Sequence, residues 1–168
     1  MPEYCSATCS SIEESHKRGK RSPIHIIYIM TITFNAIDVP MPDIDQTAVS
    51  DWIARVAESY GRRVGRITYY FCSDDEILSV NRQYLQHDYY TDIITFDYCE
   101  GRRLDGEIFI SLDTVLSNSQ QLSTPYAQEL HRVIIHGVLH LCGINDKGPG
   151  EREIMEAAEN RALQSYQM

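Results

Sequence analysis

The segment His-Gly-Val-Leu-His at positions 136–140 places two imidazole side chains four residues apart. On a helix, His136 and His140 would lie on one face with Cβ atoms roughly 5–6 Å apart, close enough to bind the same metal ion. Gly143 favours the end of that helix and a reversal of the chain, after which Asp146 could supply a carboxylate oxygen. The spacing therefore predicts a metal site formed by His136, His140 and Asp146.

This combination of ligands indicates a catalytic use of the metal. Two imidazoles and one carboxylate leave the fourth position of a tetrahedral zinc ion open to water, unlike structural zinc sites, which are closed. Zinc lowers the pKa of such a water towards about 7, which favours hydrolysis at neutral pH. We expect one Zn²⁺ per chain and a hydrolase in which the three ligands act through the metal and its water. His131 and Cys142 are expected to point to other sides of the helix.

The same spacing occurs in zinc metallopeptidases, whose motif is His-Glu-x-x-His-x-x-Gly-x-x-His. Gly137, however, occupies the position of the glutamate that serves those enzymes as general base. A phosphodiester depends less on such a base, because a metal ion can directly stabilise negative charge on phosphate oxygens. The sequence thus favours phosphodiester over peptide hydrolysis, and a metallopeptidase remains the alternative enzyme.

Hydrophobic periodicity predicts the elements that must position this site. Strands are expected at 31–34, 65–72, 92–97 and 106–111, and helices at 45–60, 74–84, 113–122, 125–142 and from 149 onward. We expect Thr124 to cap the histidine-bearing helix and a polar turn to occupy 100–105. This order predicts an α/β (α+β) domain of the zinc-hydrolase type, with a small mixed sheet of about four strands covered by about five helices.

Composition limits the class of protein. The chain has 168 residues, 43% of them hydrophobic, which suits one globular domain at 30–168. Residues 1–29 lack periodicity and predict a disordered N-terminal extension, and one hypothesis is that translation naturally begins at Met30. Five irregularly spaced cysteines and the lack of a long apolar stretch favour the reducing cytoplasm and no membrane span. A net charge of −9 argues against broad, sequence-independent binding of nucleic acid.

Three segments, in the same order, resemble motifs of the YbeY family. They are His-Gly-x-Leu-His-Leu-x-Gly from His136, Asn-x-x-Tyr-x-x-x-Asp-x-x-Thr-Asp from Asn81, and Gly-Glu-Ile-Phe-Ile-Ser from Gly106. Two positions differ from the family pattern. Most members end the first motif with a histidine where this chain has Asp146, a change that favours harder metal ions. Many members also have an arginine where this chain has Leu85.

The resemblance implies a cytoplasmic, zinc-dependent endoribonuclease that is specific for single strands. Such an enzyme matures the 3′ end of small-subunit ribosomal RNA and takes part in ribosome quality control, so ribosomal RNA and the small ribosomal subunit are the expected partners. Carried over by position, His136, His140 and Asp146 are the metal ligands. Arg82, one helical turn before Leu85, is a candidate RNA contact. A non-catalytic ribosome assembly factor, in which metal only stabilises the fold, is the alternative outside enzymes.

Overall fold

The computed structural model describes residues 30–86 and 88–166, in which strands and helices alternate at first and three helices follow the last strand. The elements are β1 (Thr31–Ala36), α1 (Gln46–Ser59), β2 (Arg63–Cys72), α2 (Asp74–Val80), a π-helical turn (Asn81–Leu85), β3 (Ile93–Asp97), β4 (Arg103–Ser111), α3 (Leu112–Leu122), α4 (Tyr126–Leu141) and α5 (Glu151–Tyr166). Four strands and five α-helices confirm the predicted α/β (α+β) fold class. The extension predicted over 1–29 lies outside the described residues. Among the helices described, none has the length and apolar character needed to cross a membrane.

The strands form one mixed sheet in the order β1-β2-β4-β3. β1 and β4 both pair with β2 in parallel, while the edge strand β3 runs antiparallel to β4. Successive side chains of a strand point to opposite faces, so Ile108 and Ile110 join a large core with α1, α4 and α5. Phe109 points the other way, into a smaller cluster with Ile77 and Val80 of α2. Helices therefore pack on both faces of the sheet.

Side-chain caps explain where the first three helices begin. Asp45 Oδ1 accepts hydrogen bonds from the backbone N–H groups of Thr47 and Ala48, both at 3.0 Å, and so caps α1. Ser73 and Ser111 cap α2 and α3 in the same way, each by accepting one backbone N–H. These three caps agree with the helix starts expected from the periodicity to within about two residues.

Two local predictions are wrong. Thr124 does not cap α4, because the N-cap position is Pro125, which offers no side-chain hydrogen bond. The polar turn also ends before 105: β4 already begins at Arg103, since the Tyr98 N–H donates to the Asp105 carbonyl at 2.9 Å and the backbones of Glu100 and Arg103 bond to each other. The connection between β3 and β4 is therefore shorter than the sequence predicted, because it ends at residue 102 and not at 105.

Buried side-chain hydrogen bonds fix α4 and α5 to the rest of the core. The fully buried Tyr69 of β2 donates its hydroxyl hydrogen to the Ile134 carbonyl of α4 at 3.1 Å. Trp52 of α1, also fully buried, donates its indole N–H to the Ala162 carbonyl of α5 at 2.8 Å. Because an unsatisfied buried polar group is costly, these bonds define how both helices sit on the core.

We expect Trp52→Phe to lower the free energy of unfolding by about 2 kcal/mol, because it removes buried apolar surface and leaves the Ala162 carbonyl without its indole donor. Urea unfolding followed by circular dichroism measures this loss. Ile154→Ala, at an exposed position of α5, is the control and should change the free energy by less than about 0.5 kcal/mol. Equal effects of the two substitutions would contradict a stabilising role of the hydrogen bond between Trp52 and the Ala162 carbonyl.

Candidate metal centre

The three predicted ligand residues lie together at the C-terminal end of α4. The Nε2 atoms of His136 and His140 are 2.9 Å apart, and Asp146 Oδ2 lies 3.6 Å from the first and 3.7 Å from the second. Ligand atoms bound tetrahedrally to one zinc ion at about 2.0–2.1 Å would be separated by about 3.3 Å. Within residues 30–86 and 88–166, this is the only group of three such side chains close enough to share an ion.

A glycine-mediated reversal brings Asp146 back to the histidines. Gly143 has a φ of 97°, in the left-handed region that favours glycine, and its N–H donates to the His140 carbonyl at 2.8 Å. The next residue, Ile144, donates its N–H to the Leu139 carbonyl at 3.0 Å. The Ile144 carbonyl in turn accepts a hydrogen bond from His140 Nδ1 at 2.9 Å. The same turn therefore delivers the carboxylate and orients one imidazole.

The hydrogen-bond partners of the two imidazoles test whether the site suits a cation. A carbonyl can only accept, so His140 Nδ1 carries the proton and, in the neutral ring, Nε2 presents a lone pair. His136 Nδ1 likewise donates to Glu159 Oε1 at 2.7 Å. Two lone pairs facing each other at 2.9 Å repel unless a proton or a metal ion lies between them. The chemistry of these donors thus suits a bound cation, with the Asp146 carboxylate beside it.

Electrostatic interactions differentiate the two histidines. Burial alone would lower the pKa of His136, but the hydrogen bond and negative charge of Glu159, with Asp92 and Asp146, outweigh it and raise that pKa above its usual value. For His140, burial and the positive charge of His136 lower the pKa. Both directions favour His136 over His140 as the ring that holds a proton when no metal ion is bound, and such a proton would compete with the ion.

Glu159 of α5 is the functional residue that the sequence prediction missed. It is only 8% exposed, and its Oε2 accepts a hydrogen bond from Arg132 Nη1 at 2.9 Å while its Oε1 accepts from His136. Burial would raise the pKa of Glu159, but the hydrogen bonds from His136 and Arg132 outweigh it and hold the pKa below its usual value. A signal was available in the sequence, because Glu159 follows Met155 by four residues and thus interrupts the apolar side of α5.

Gly137 faces the sheet and not the histidine side of α4. A Cβ atom added there would come within 3.0 Å of Ile108 Cδ1 and 3.1 Å of Ile93 Cδ1, closer than ordinary van der Waals contact. A glutamate at this position would crowd Ile108 and Ile93, so these side chains or α4 would have to shift. This packing counts against the metallopeptidase alternative, which needs a carboxylate at that position on the metal side.

A cavity of about 650 Å³ opens beside the candidate metal centre, and its walls include His136, Asp146, Asp92 and Arg132. Asp92, at which the sequence predicts that a strand begins, directly precedes β3. The backbone carbonyl of Asp92 does accept the Ser111 N–H at 2.9 Å, as expected at the start of a strand pair. Asp92 nevertheless lines the same cavity as His136 and Asp146.

The remaining residues singled out in the sequence lie elsewhere. Arg82 sits on the π-helical turn with 58% of its side chain exposed, pairs with Asp88 at 2.5 Å, and is not part of the cavity wall. His131 packs against the rings of Trp52 and Tyr166, at centroid distances of 6.0 and 4.5 Å, away from the metal ligands.

Comparisons with known proteins agree with the motifs. Residues 35–167 match the family described as Endoribonuclease YbeY. A Bacteroides fragilis protein of that name is 68% identical over 134 residues, which are 80% of this chain and 96% of the relative. A Phocaeicola vulgatus relative is 70% identical over 79% of this chain and 96% of its own length, and one from Porphyromonas gingivalis is 53% identical over 79% and 87%.

A solution structure from Thermotoga maritima has the same fold, with a TM-score of 0.58 over 81% of this chain and 89% of that one. Its sequence identity is 23%, so this likeness concerns the fold alone. The family match and the curated relatives each extend over most of the chain. On those grounds the chain belongs to the Endoribonuclease YbeY family.

Proposed function

We propose that this protein is a zinc-dependent endoribonuclease that cuts single-stranded RNA. Its substrate is the 3′ end of small-subunit ribosomal RNA, and the cleavage takes place in the cytoplasm as part of ribosome maturation and quality control. Membership of the Endoribonuclease YbeY family supports the reaction class. The observation that carries the metal dependence is the pair of imidazole Nε2 atoms that face each other at 2.9 Å, with both Nδ1 atoms already used as donors.

In this proposal His136, His140 and Asp146 hold one Zn²⁺. When bound, zinc would supply a Lewis acid that stabilises negative charge on phosphate oxygens and lowers the pKa of a water molecule. The protein's own groups prepare the ligands: Glu159 keeps the His136 Nδ1 proton in place, and the Ile144 carbonyl does the same for His140. Glu159 forms an ion pair with Arg132, so its carboxylate stays ionised while the guanidinium balances its negative charge beside the substrate.

Zinc is the metal that this donor set favours, because imidazole nitrogen suits zinc and a carboxylate completes a common catalytic ligand combination. The free thiols of Cys72, Cys99 and Cys142 agree with the reducing cytoplasm as the compartment. Elemental analysis of the purified protein should find one zinc per chain, and a different stoichiometric ion would correct the metal without removing the site.

We expect His136→Ala and Asp146→Asn each to reduce cleavage of single-stranded RNA by at least about 100-fold, because each removes a ligand from the proposed ion. Purified protein is assayed on a labelled single strand and on the same strand annealed to its complement, with and without a chelator. Asp51→Asn, at an exposed position of α1, is the matched control for Asp146→Asn and should retain full activity.

The same assay separates the alternatives. Metal-dependent cleavage of casein without RNA cleavage would support the metallopeptidase and refute the ribonuclease. If the wild-type protein binds stoichiometric metal but cleaves neither substrate, and chelation lowers its melting temperature, the metal is structural and the protein is an assembly factor. Equal cleavage of the single strand and the duplex would refute only the strand specificity.

We expect Glu159→Gln to weaken metal affinity by about 10- to 100-fold, because the charged partner that orients His136 is lost. The substitution should also change the pH dependence. Glu159 raises the pKa of His136, so in the wild type a competing proton weakens metal binding from a higher pH downward. In Glu159→Gln that loss should begin at a lower pH.

Isothermal titration with zinc across a pH series measures both effects, and Glu153→Gln, which makes the same substitution at an exposed position of α5, serves as the control. A purely structural role of Glu159 would reduce stability without moving the pH profile. An unchanged affinity and an unchanged profile would together contradict the orienting role.

Arg82 remains our candidate for an RNA phosphate contact outside the cavity wall. It is exposed and its partner Asp88 is exposed too, so an RNA phosphate could replace this weak surface ion pair. We expect Arg82→Ala to weaken binding of single-stranded RNA about two- to fivefold at low salt, with no change in melting temperature. Fluorescence anisotropy with a labelled strand measures the affinity. An unchanged dissociation constant in Arg82→Ala would rule out Arg82 as a phosphate contact.

A further inference from the structure

Exposed aromatic side chains are confined to one part of the chain. Among residues 30–86 and 88–166, the exposed Phe, Tyr and Trp side chains are Tyr84, Tyr89, Tyr90 and Tyr98, all within the segment 84–98 that flanks β3. Every other described aromatic ring is buried or half-buried. Exposed aromatic rings are candidates for ligand contacts, and Tyr89 and Tyr90 are the two that are adjacent in the sequence.

Tyr89 and Tyr90 closely precede, in the chain, a residue of the cavity wall at the candidate metal centre. Tyr90 precedes Asp92 by two residues, and an extended chain of that length spans at most about 7 Å. Asp92 lines the same cavity as His136 and Asp146. The backbone of Tyr90 therefore lies within about 7 Å of that of a cavity-wall residue, and both tyrosine side chains, 54% and 58% exposed, are on the segment that leads into this wall.

The backbone under these exposed rings is held firmly. Asn81, a side chain that is only 1% exposed, donates its amide hydrogen to the Tyr89 carbonyl at 2.9 Å. On the other side, the Asp92 carbonyl accepts the Ser111 N–H of β4, and the Thr91 hydroxyl donates to the Ile93 carbonyl at 3.2 Å. Rings on an anchored backbone lose less conformational freedom when a ligand binds than rings on a mobile loop do.

The charge of the protein limits the other sources of RNA affinity. The net charge is −9, and Arg82, the cation proposed above as a phosphate contact, is already paired with Asp88. Attraction between Lys or Arg and phosphates supplies most non-specific affinity for nucleic acid. Stacking of bases on aromatic rings is the main alternative source and needs no positive charge. It also requires unpaired bases, which are accessible in single strands and not in a duplex.

We propose that Tyr89 and Tyr90 form a stacking platform that binds unpaired bases of an RNA strand next to the metal centre. This inference rests on the proposed ribonuclease function and adds the means by which an acidic protein selects a single strand. The rings bind bases whatever their identity, because every base has a planar π face. The platform acts on substrate binding and takes no part in breaking the phosphodiester bond.

The test compares rings with apolar side chains of similar size. In Tyr90→Phe the ring remains, whereas Tyr90→Leu and the double variant Tyr89→Leu/Tyr90→Leu keep an apolar surface without a planar face. Tyr98→Leu is the matched control, because Tyr98 is 56% exposed but follows the opposite end of β3, a strand of about 17 Å. Steady-state cleavage of a labelled single strand gives kcat and KM separately, and melting curves confirm that each variant folds.

We expect the double leucine variant to raise KM about tenfold or more with kcat changed less than about twofold, and Tyr90→Phe and Tyr98→Leu to resemble the wild type. A strand carrying abasic nucleotides near the cleavage site should bind the wild type as weakly as the normal strand binds the double variant. The double variant should lose little further affinity on the abasic strand, because the stacking contact is already absent.

Several results would overturn the platform while leaving the ribonuclease intact. These are an unchanged KM in the double leucine variant, an equal loss in Tyr98→Leu, a loss in Tyr90→Phe as large as in Tyr90→Leu, or indifference of the wild type to abasic nucleotides. Failure of the proposed function is distinguishable, because the wild-type protein would then cleave no RNA in the presence of metal. In that case anisotropy with the normal and abasic strands still decides whether the two rings bind bases, and equal affinities reject the platform.

Discussion

Two imidazole nitrogens, held 2.9 Å apart on adjacent turns of α4, are the constraint on which the rest of this structure depends. Each ring has its other nitrogen fixed by an acceptor, Glu159 for His136 and the Ile144 carbonyl for His140. Neither ring can turn away without losing its hydrogen bond, so the two Nε2 atoms stay at a distance that calls for a proton or a metal ion between them. The proposed metal centre is thus prepared by the protein before any ion binds.

That preparation requires α4 to be immobile, and the surrounding core provides this. The helix packs on β3 and β4 through Gly137, whose lack of a side chain allows the close approach to Ile108. The Tyr69 hydroxyl reaches its backbone from β2, while α5 brings Glu159 against its other side. Four separate elements, β2, β3, β4 and α5, therefore hold the helix, and a shift of any one of them would move the Nε2 atoms relative to Asp146.

The acidic character of the chain and the proposed RNA substrate are compatible when the sources of affinity are considered separately. Few free cations are needed if the ion at the metal centre attracts the scissile phosphate and aromatic rings hold the bases. Arg132, for example, donates hydrogen bonds to Glu159 and Asn160 within the protein, so its charge is already used in holding the site together. Selection of single strands then follows from the need to expose bases and not from the overall charge.

The sequence by itself determined the local features. The four-residue histidine spacing, the glycine that reverses the chain before Asp146, and the order of strands and helices depend on near neighbours, whose geometry is the same in any helix or turn. Only the tertiary structure decided which distant residues meet. Glu159 lies 23 residues after His136 and contacts it because α5 packs on α4. Arg82, on the π-helical turn, lies outside the cavity wall, which its distance from the motif in sequence did not reveal. Such long-range contacts arise from the joint burial of several elements, which no local spacing encodes.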